Sequence, residues 1–251
     1  MDEHFGEPVR NTRINGQWDI ILPDHRADRP EWQTGWERER LDALHDEITS
    51  QQNPVVYDIG TEEGDMTGLY SIWGADVHAF EPNPLVWPNI RAIWEANNLK
   101  PLAGLFVGFA AADTDLHPPD IEPIIAEPGR DGWPASAYGE LIGNHGFRNI
   151  FERSGDTPRI RIDDYAEGNQ SPTIITMDVE GAEFEVLKGA EQTIRDCQPT
   201  IFISVHPVFM FTGFGEDESE MHKWLRGLGY KGEHLAYDHE HHWKYTPRGT
   251  E

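Results

Sequence analysis

The sequence predicts an α/β fold: a doubly wound, mostly parallel sheet with an antiparallel last strand, preceded by an N-terminal hairpin and helix. Three observations predict it. Short apolar runs at 55–59, 76–80, 102–109, 173–178 and 200–205 alternate with helical stretches, a pattern that needs helices on both faces of a parallel sheet. The first run opens directly into a glycine turn, Asp58-x-Gly60-x-Glu62-x-Gly64. The second ends on Glu81, roughly 20 positions after Gly60, the offset at which an acid meets a ribose diol.

The elements follow in order. Segments 9–14 and 17–22 alternate on either side of Asn15-Gly16, a strong hairpin signal, and Pro23 closes them. Leu41, Leu44 and Ile48 share one face of a helix over 37–48. Pro54 opens the first core strand, and a helix from about Asp65 to Trp73 follows it. A second helix runs from about Leu85 to Asn97, with Pro88 early in it, where proline is tolerated. The 173–178 strand leads to a helix over 184–197, and the 200–205 strand to one over 216–228 that Gly229 ends. The tail 232–245 reads as an antiparallel strand pair. Segment 114–160 is rich in proline and glycine and breaks the alternation, so it reads as a lid inserted over the open sheet edge. The expected organisation is an extension over 1–53 and a ligand-binding domain over 54–251.

Composition narrows the partners. Formal net charge is −25, and the chain has only five lysines, at 100, 188, 223, 231 and 244. Phosphate-backbone binding needs clustered cations, so neither nucleic acid nor an anionic membrane is an expected partner. Cys197 stands alone, which excludes a disulfide framework or a thiolate metal cage. The first residues carry no basic region backed by an apolar run, and no apolar stretch approaches membrane-spanning length. A cytoplasmic protein is expected.

The glycine turn keeps the first and third glycines of a nucleotide-type turn and replaces the middle one. Gly60 turns the chain after the strand, and Gly64 lets the helix pack against it. Glu62 stands where dinucleotide enzymes admit a pyrophosphate, and an acid there repels one. A sulfonium ligand without phosphate, S-adenosylmethionine, suits the turn better. Asp58 fixes the turn or holds the ligand's amino group. Glu81 offers two acceptor oxygens to a diol. Pro82 steers the chain past the adenine side, and Asp113, beyond the third strand, is placed with the cofactor residues.

Here the sequence resembles a known family. Val56-x-Asp58-x-Gly60, then Ala79-Phe80-Glu81-Pro82-Asn83-Pro84, and above all Met177-Asp178-Val179-Glu180-Gly181-Ala182-Glu183 with Leu187-Lys188-Gly189-Ala190, resemble the FkbM-type methyltransferases. Arg161-Ile162-Asp163-Asp164-Tyr165 resembles the segment that precedes that block. The resemblance covers about 20–230. It implies a class I methyltransferase fold of Rossmann-like type, S-adenosylmethionine as donor, and O-methylation of a sugar, a glycan or a secondary metabolite. One departure stands out: relatives often carry a Glu two residues before their His, and here Ser204 precedes His206.

Asp178 ends a core strand beside the topological switch point, where open α/β sheets bind ligands. His206 ends the next strand, so the expected general base is His206, with Asp178 orienting it or the acceptor. Asp178 also counts among the cofactor-side residues. A divalent cation held by Asp178, Glu180 and His206 is the less favoured alternative. Glu183 is either a site residue or an acid capping its helix. His239 and His241 on one strand face read as a polar edge pair, not a metal site. His145, Trp133 and Tyr138 in the lid read as surface packing. Two other functions compete. A nicotinamide-dependent oxidoreductase is opposed by Glu62, and an inactive S-adenosylmethionine-binding module is hinted at only by Ser204.

Overall fold

The computed structural model describes residues 8–83, 86–116, 133 and 157–249. Strands β1 (Val9–Ile14) and β2 (Trp18–Pro23) form the expected hairpin, with Asn15 and Gly16 both at positive φ. Two short helices, α1 (Asp24–Ala27) and α2 (Glu31–Thr34), lead to α3 (Arg38–Ser50). Then come β3 (Val55–Ile59), α4 (Asp65–Ile72), β4 (Asp76–Phe80), α5 (Trp87–Ala96) and β5 (Gly104–Phe106). Two short strands, β6 (Phe109–Ala110) and β7 (Arg159–Ile160), pair in parallel before α6 (Ile162–Ala166). The second half holds β8 (Ile174–Asp178), α7 (Glu183–Gly189), α8 (Glu191–Cys197), β9 (Thr200–Val205), α9 (Pro207–Phe209), α10 (Glu218–Gly227), β10 (Tyr230–Tyr237) and β11 (His241–Pro247). A π-turn at Met210–Phe214 follows α9.

Seven strands make one sheet, in the order β10-β11-β9-β8-β3-β4-β5. β3, β4, β5, β8 and β9 run parallel, and β11 enters antiparallel between β9 and β10. The chain winds one way from β3 and the other way from β8, so the switch point lies between the carboxyl ends of these neighbours. Their residues alternate between two cores. Tyr57, Ile59, Ile175, Met177, Ile201 and Ile203 face α6–α8 and α10. Val56, Val77, Ala79, Ile174 and Phe202 face the hairpin, α3, α4 and α5, with Trp32, Leu41, Leu44 and Trp87 buried there. Each fully buried Leu or Ile contributes about 1.5–3 kcal/mol.

Three expectations change. The 184–197 helix is broken at Ala190, because Gly189 presses on the segment after β6: a Cβ there would lie 2.0 Å from the Ala111 carbonyl oxygen. Asp163 caps the second piece, accepting from the N–H groups of Gln192 and Thr193. The 102–109 strand is cut to three residues, since Gly104 sits against the Tyr165 hydroxyl and His78, and Gly108 against the Pro158 carbonyl oxygen. The 216–228 helix starts later, because the Asp217 carboxylate accepts from Ser219 N–H at 2.7 Å and so acts as its N-cap. The lid at 114–160 lies mostly outside the described residues, His145 and Tyr138 included. Trp133 is described and meets Trp94 edge-on at 6.2 Å. Among the described residues, no helix is long and apolar enough to cross a membrane.

Candidate functional site

The carboxyl ends of β3, β4 and β8 and the start of the segment after β9 open onto a cavity of about 560 Å³. That size suits a cofactor-sized ligand. The first turn forms its floor. Gly60 has φ +87°, and a Cβ on it would lie 1.9 Å from the Asp178 carbonyl oxygen. Glycine is therefore required twice, by conformation and by the approach of β8. Gly64 packs against Ile90 of α5.

Asp58 is buried and accepts a short hydrogen bond from the Thr67 hydroxyl. Burial pushes its carboxyl up to about 6, against the pull of Thr67 and Arg40. Glu81 is buried too. Its two oxygens accept from the N–H of Glu62 at 2.9 Å and of Asn83 at 2.7 Å. Burial raises it to about 8, and those two bonds only partly offset that. Pro82 lines the cavity beside it. Glu62 forks onto Arg26 at 2.8 and 3.1 Å, and both residues line the cavity. Asp113 does not reach the cavity. It lies at the surface, its side chain 59% exposed, in a two-pronged pair with Arg159.

The opposite wall centres on His206, which is mostly buried. Its Nδ1 meets Glu183 at 2.8 Å, and its Nε2 lies 2.6 Å from Glu240, 3.6 Å from Glu180 and 3.8 Å from Asp178. Burial alone would lower the imidazole, but the flanking carboxylates push it up to about 11. Both ring nitrogens therefore face carboxylates, Nδ1 toward Glu183 and Nε2 toward Glu240. Glu183 is the carboxylate hydrogen-bonded to the ring at Nδ1. Glu183 is fully buried and also accepts from Gly181 N–H at 3.0 Å, so it is more than a helix cap. Burial and the charges of Glu240 and Glu37 hold Asp178 well above the usual carboxylate range, against His206 and Arg40. Burial likewise raises Glu180.

Three contributors, Glu37, Arg40 and Glu240, escaped the sequence reading, and His239, read as part of a polar edge pair, joins them in the lining. Glu37 and Arg40 come from the start of α3, and the buried Arg40 guanidinium bonds Glu37 and the Thr176 hydroxyl. Glu240 and His239 come from the β10–β11 turn. The register explains their arrival: His242 pairs with Ser204 and His241 with Val205, so Glu240 meets His206 one step further on. His242 itself is buried on the Ser204 hydroxyl at 3.0 Å. Glu37, Glu62 and Glu180, all lining the cavity, adopt φ of +43°, +51° and +53°. Left-handed non-glycine residues cost about 1–3 kcal/mol each and gather at functional sites.

The comparisons bear on this geometry. The family model described as the methyltransferase FkbM domain matches residues 58–231, from Asp58 at the first turn into β10. The chain belongs to the FkbM methyltransferase family. Among solved structures, an FkbM methyltransferase from Methylobacillus flagellatus KT is similar with a TM-score of 0.50 and 16% identity, over 88% of this chain and 51% of that one. The chain thus spans about half the length of that protein. A precorrin-6y C5,15-methyltransferase from Geobacter metallireducens GS-15 is similar at 12% identity and TM-score 0.46, over 89% of this chain and 96% of the other. A T. thermophilus 16S rRNA N2 G1207 methyltransferase, in complex with AdoMet and guanosine, is similar at 14% identity and TM-score 0.48, over 96% and 50%. No curated protein matches the chain. At these identities the structural likeness is one of fold, a class I methyltransferase fold. FkbM membership supports S-adenosylmethionine-dependent methyl transfer over a nicotinamide oxidoreductase and leaves the acceptor open.

The cavity suits that cofactor. Glu81 presents two acceptor oxygens, Gly60 removes the Cβ that would fill the floor, and the lining is rich in acids that complement a sulfonium and an ammonium.

Proposed function

We propose that this chain transfers a methyl group from S-adenosylmethionine to a hydroxyl of a sugar, glycan or small secondary metabolite. One observation carries the reading: a single cavity runs from the Gly60 turn and Glu81 to the Asp178–His206–Glu240 cluster. Bound S-adenosylmethionine supplies a methyl already activated on a sulfonium. The protein's own residues do the rest. Glu81 keeps lone pairs free beyond its bonds to Glu62 and Asn83 and takes a vicinal diol. Pro82 borders the same edge, and Asp58 sets negative charge under the turn. At the far wall, Asp178 and Glu240 hold the acceptor hydroxyl, and a carboxylate of the cluster takes its proton. His206, pinned by Glu183, fixes the cluster's geometry and balances its charge. Alignment is the main contribution to such a displacement.

The charges support a neutral acceptor over a phosphorylated one. Arg26 is committed to Glu62 and Asp65, Arg40 to Glu37 and Thr176, and Arg29 lies over the Trp32 and Trp36 rings, while acids outnumber these cations in the lining. Labelled methyl from S-adenosylmethionine, offered to a panel of glycans, hydroxylated metabolites and RNA, tests this. Label on a hydroxyl oxygen is expected, with D178N slowing turnover by about a hundredfold. Label on RNA or on a nitrogen would contradict it.

A further inference from the structure

The wall opposite Glu81 gathers four carboxylates around the His206 ring. Asp178, Glu180, Glu183 and Glu240 stand 3.8, 3.6, 2.8 and 2.6 Å from the His206 ring nitrogens. One oxygen each of Asp178 and Glu240 and one nitrogen of His206 all lie within 4.8 Å of one another. The Glu240 side chain is 2% exposed and lines the cavity. Neither of its oxygens receives a directed hydrogen bond, although ring nitrogens of His206 and His239 lie 2.6 and 2.8 Å away. A buried carboxylate without donors costs several kcal/mol unless a cation compensates it.

We propose that Asp178, His206 Nε2 and Glu240 bind one divalent cation, with Glu183 as the carboxylate that orients the histidine. Glu183 meets Nδ1, the outer-shell arrangement typical of metal-bound histidines, while Nε2 points to Glu240 and Asp178, so a cation bound there takes the place of the Nε2 proton. One imidazole with two carboxylates suits a first-row ion such as Mn²⁺ or Fe²⁺. Glu37, His239 and Glu240 form a second trio. The first is preferred because its three members sit at the ends of adjacent, hydrogen-bonded strands and its histidine is held from behind. The cation would polarise the acceptor hydroxyl, so this inference rests on reading that wall as the acceptor side.

Mn²⁺ binding to the full chain, followed by electron paramagnetic resonance, tests it without methyl transfer. One site per chain is expected, lost in H206Q, D178N and E240Q, weakened about 10–100-fold in E183Q, and unchanged in D19N, a surface acid paired with Arg13. S-adenosylhomocysteine binding is titrated on the same metal-free samples and reports folding. Its loss in the wild-type chain would defeat the cofactor reading alone. Mn²⁺ binding no tighter than that of surface acids, or equal in wild type and E240Q, would overturn the metal site alone. If every ligand variant fails to fold, Co²⁺ added to the wild-type chain decides: a paramagnetically shifted histidine ring proton supports the site, and its absence overturns it.

Discussion

At the scale of single residues, Glu81 carries the most testable chemistry. Its carboxylate is the proposed diol anchor, so E81A should weaken S-adenosylhomocysteine binding by about 3 kcal/mol, roughly a hundredfold, by calorimetry. Burial also gives it a pH signature. Between the ordinary glutamate range and about 8, the folded chain holds a proton there that the unfolded chain has lost. Folding stability contributed by this group therefore falls as pH rises through that window. Cofactor binding to the ionised form moves the other way: affinity should rise about tenfold per pH unit up to about 8 and then level off. Affinity flat from pH 6 to 9 would refute the assignment. Gly60 is the second test. Gly60→Ala sets a Cβ into the Asp178 carbonyl oxygen and forces φ +87° on alanine, and should cost about 4 kcal/mol or more in a denaturant melt. These residues were legible in the sequence because each sits at the end of a strand or in the turn behind it. Glu183 was visible, but its two partners were not, since nothing local tells a helix-start acid that caps from one that holds a histidine across the site.

At the scale of elements, the site is assembled by pieces distant in sequence. The turn between β3 and α4 is tied to α1 by Arg26, whose guanidinium bonds Asp65 at 2.7 Å and forks onto Glu62. R26A would leave Asp65 buried without its cation and should cost about 3–5 kcal/mol, with loss of cofactor binding as the turn loosens. Unchanged thermal stability would contradict that role. Sequence periodicity placed the hairpin, α3 and the parallel strands, because alternation and helical faces are local signals. It placed α7 and α8 as one helix, because the contact of Gly189 with Ala111 that breaks it is tertiary. It missed Glu37, Arg40 and Glu240 for the same reason. The pairing of β11 with β9 brings Glu240 to His206, and that register was not written in the tail, whose His239 and His241 read as a polar edge pair.

At the scale of the whole molecule, net charge shapes stability and partners. A chain at −25 repels itself when folded. Its Tm should climb as sodium chloride is raised from millimolar to molar levels, through screening, and a Tm that falls instead would show that its ion pairs outweigh the repulsion. The same acidity lines the cavity, where it favours a sulfonium cofactor. On the proposed function, the Gly60 turn and Glu81 hold S-adenosylmethionine in the cavity that ends at Asp178, His206 and Glu240. Calorimetric titration of wild type and E81A with S-adenosylhomocysteine tests it most directly. One site per chain in the wild type, weakened about a hundredfold in E81A, is the predicted result. No binding by the folded wild-type chain, or equal affinity in the two, would contradict it.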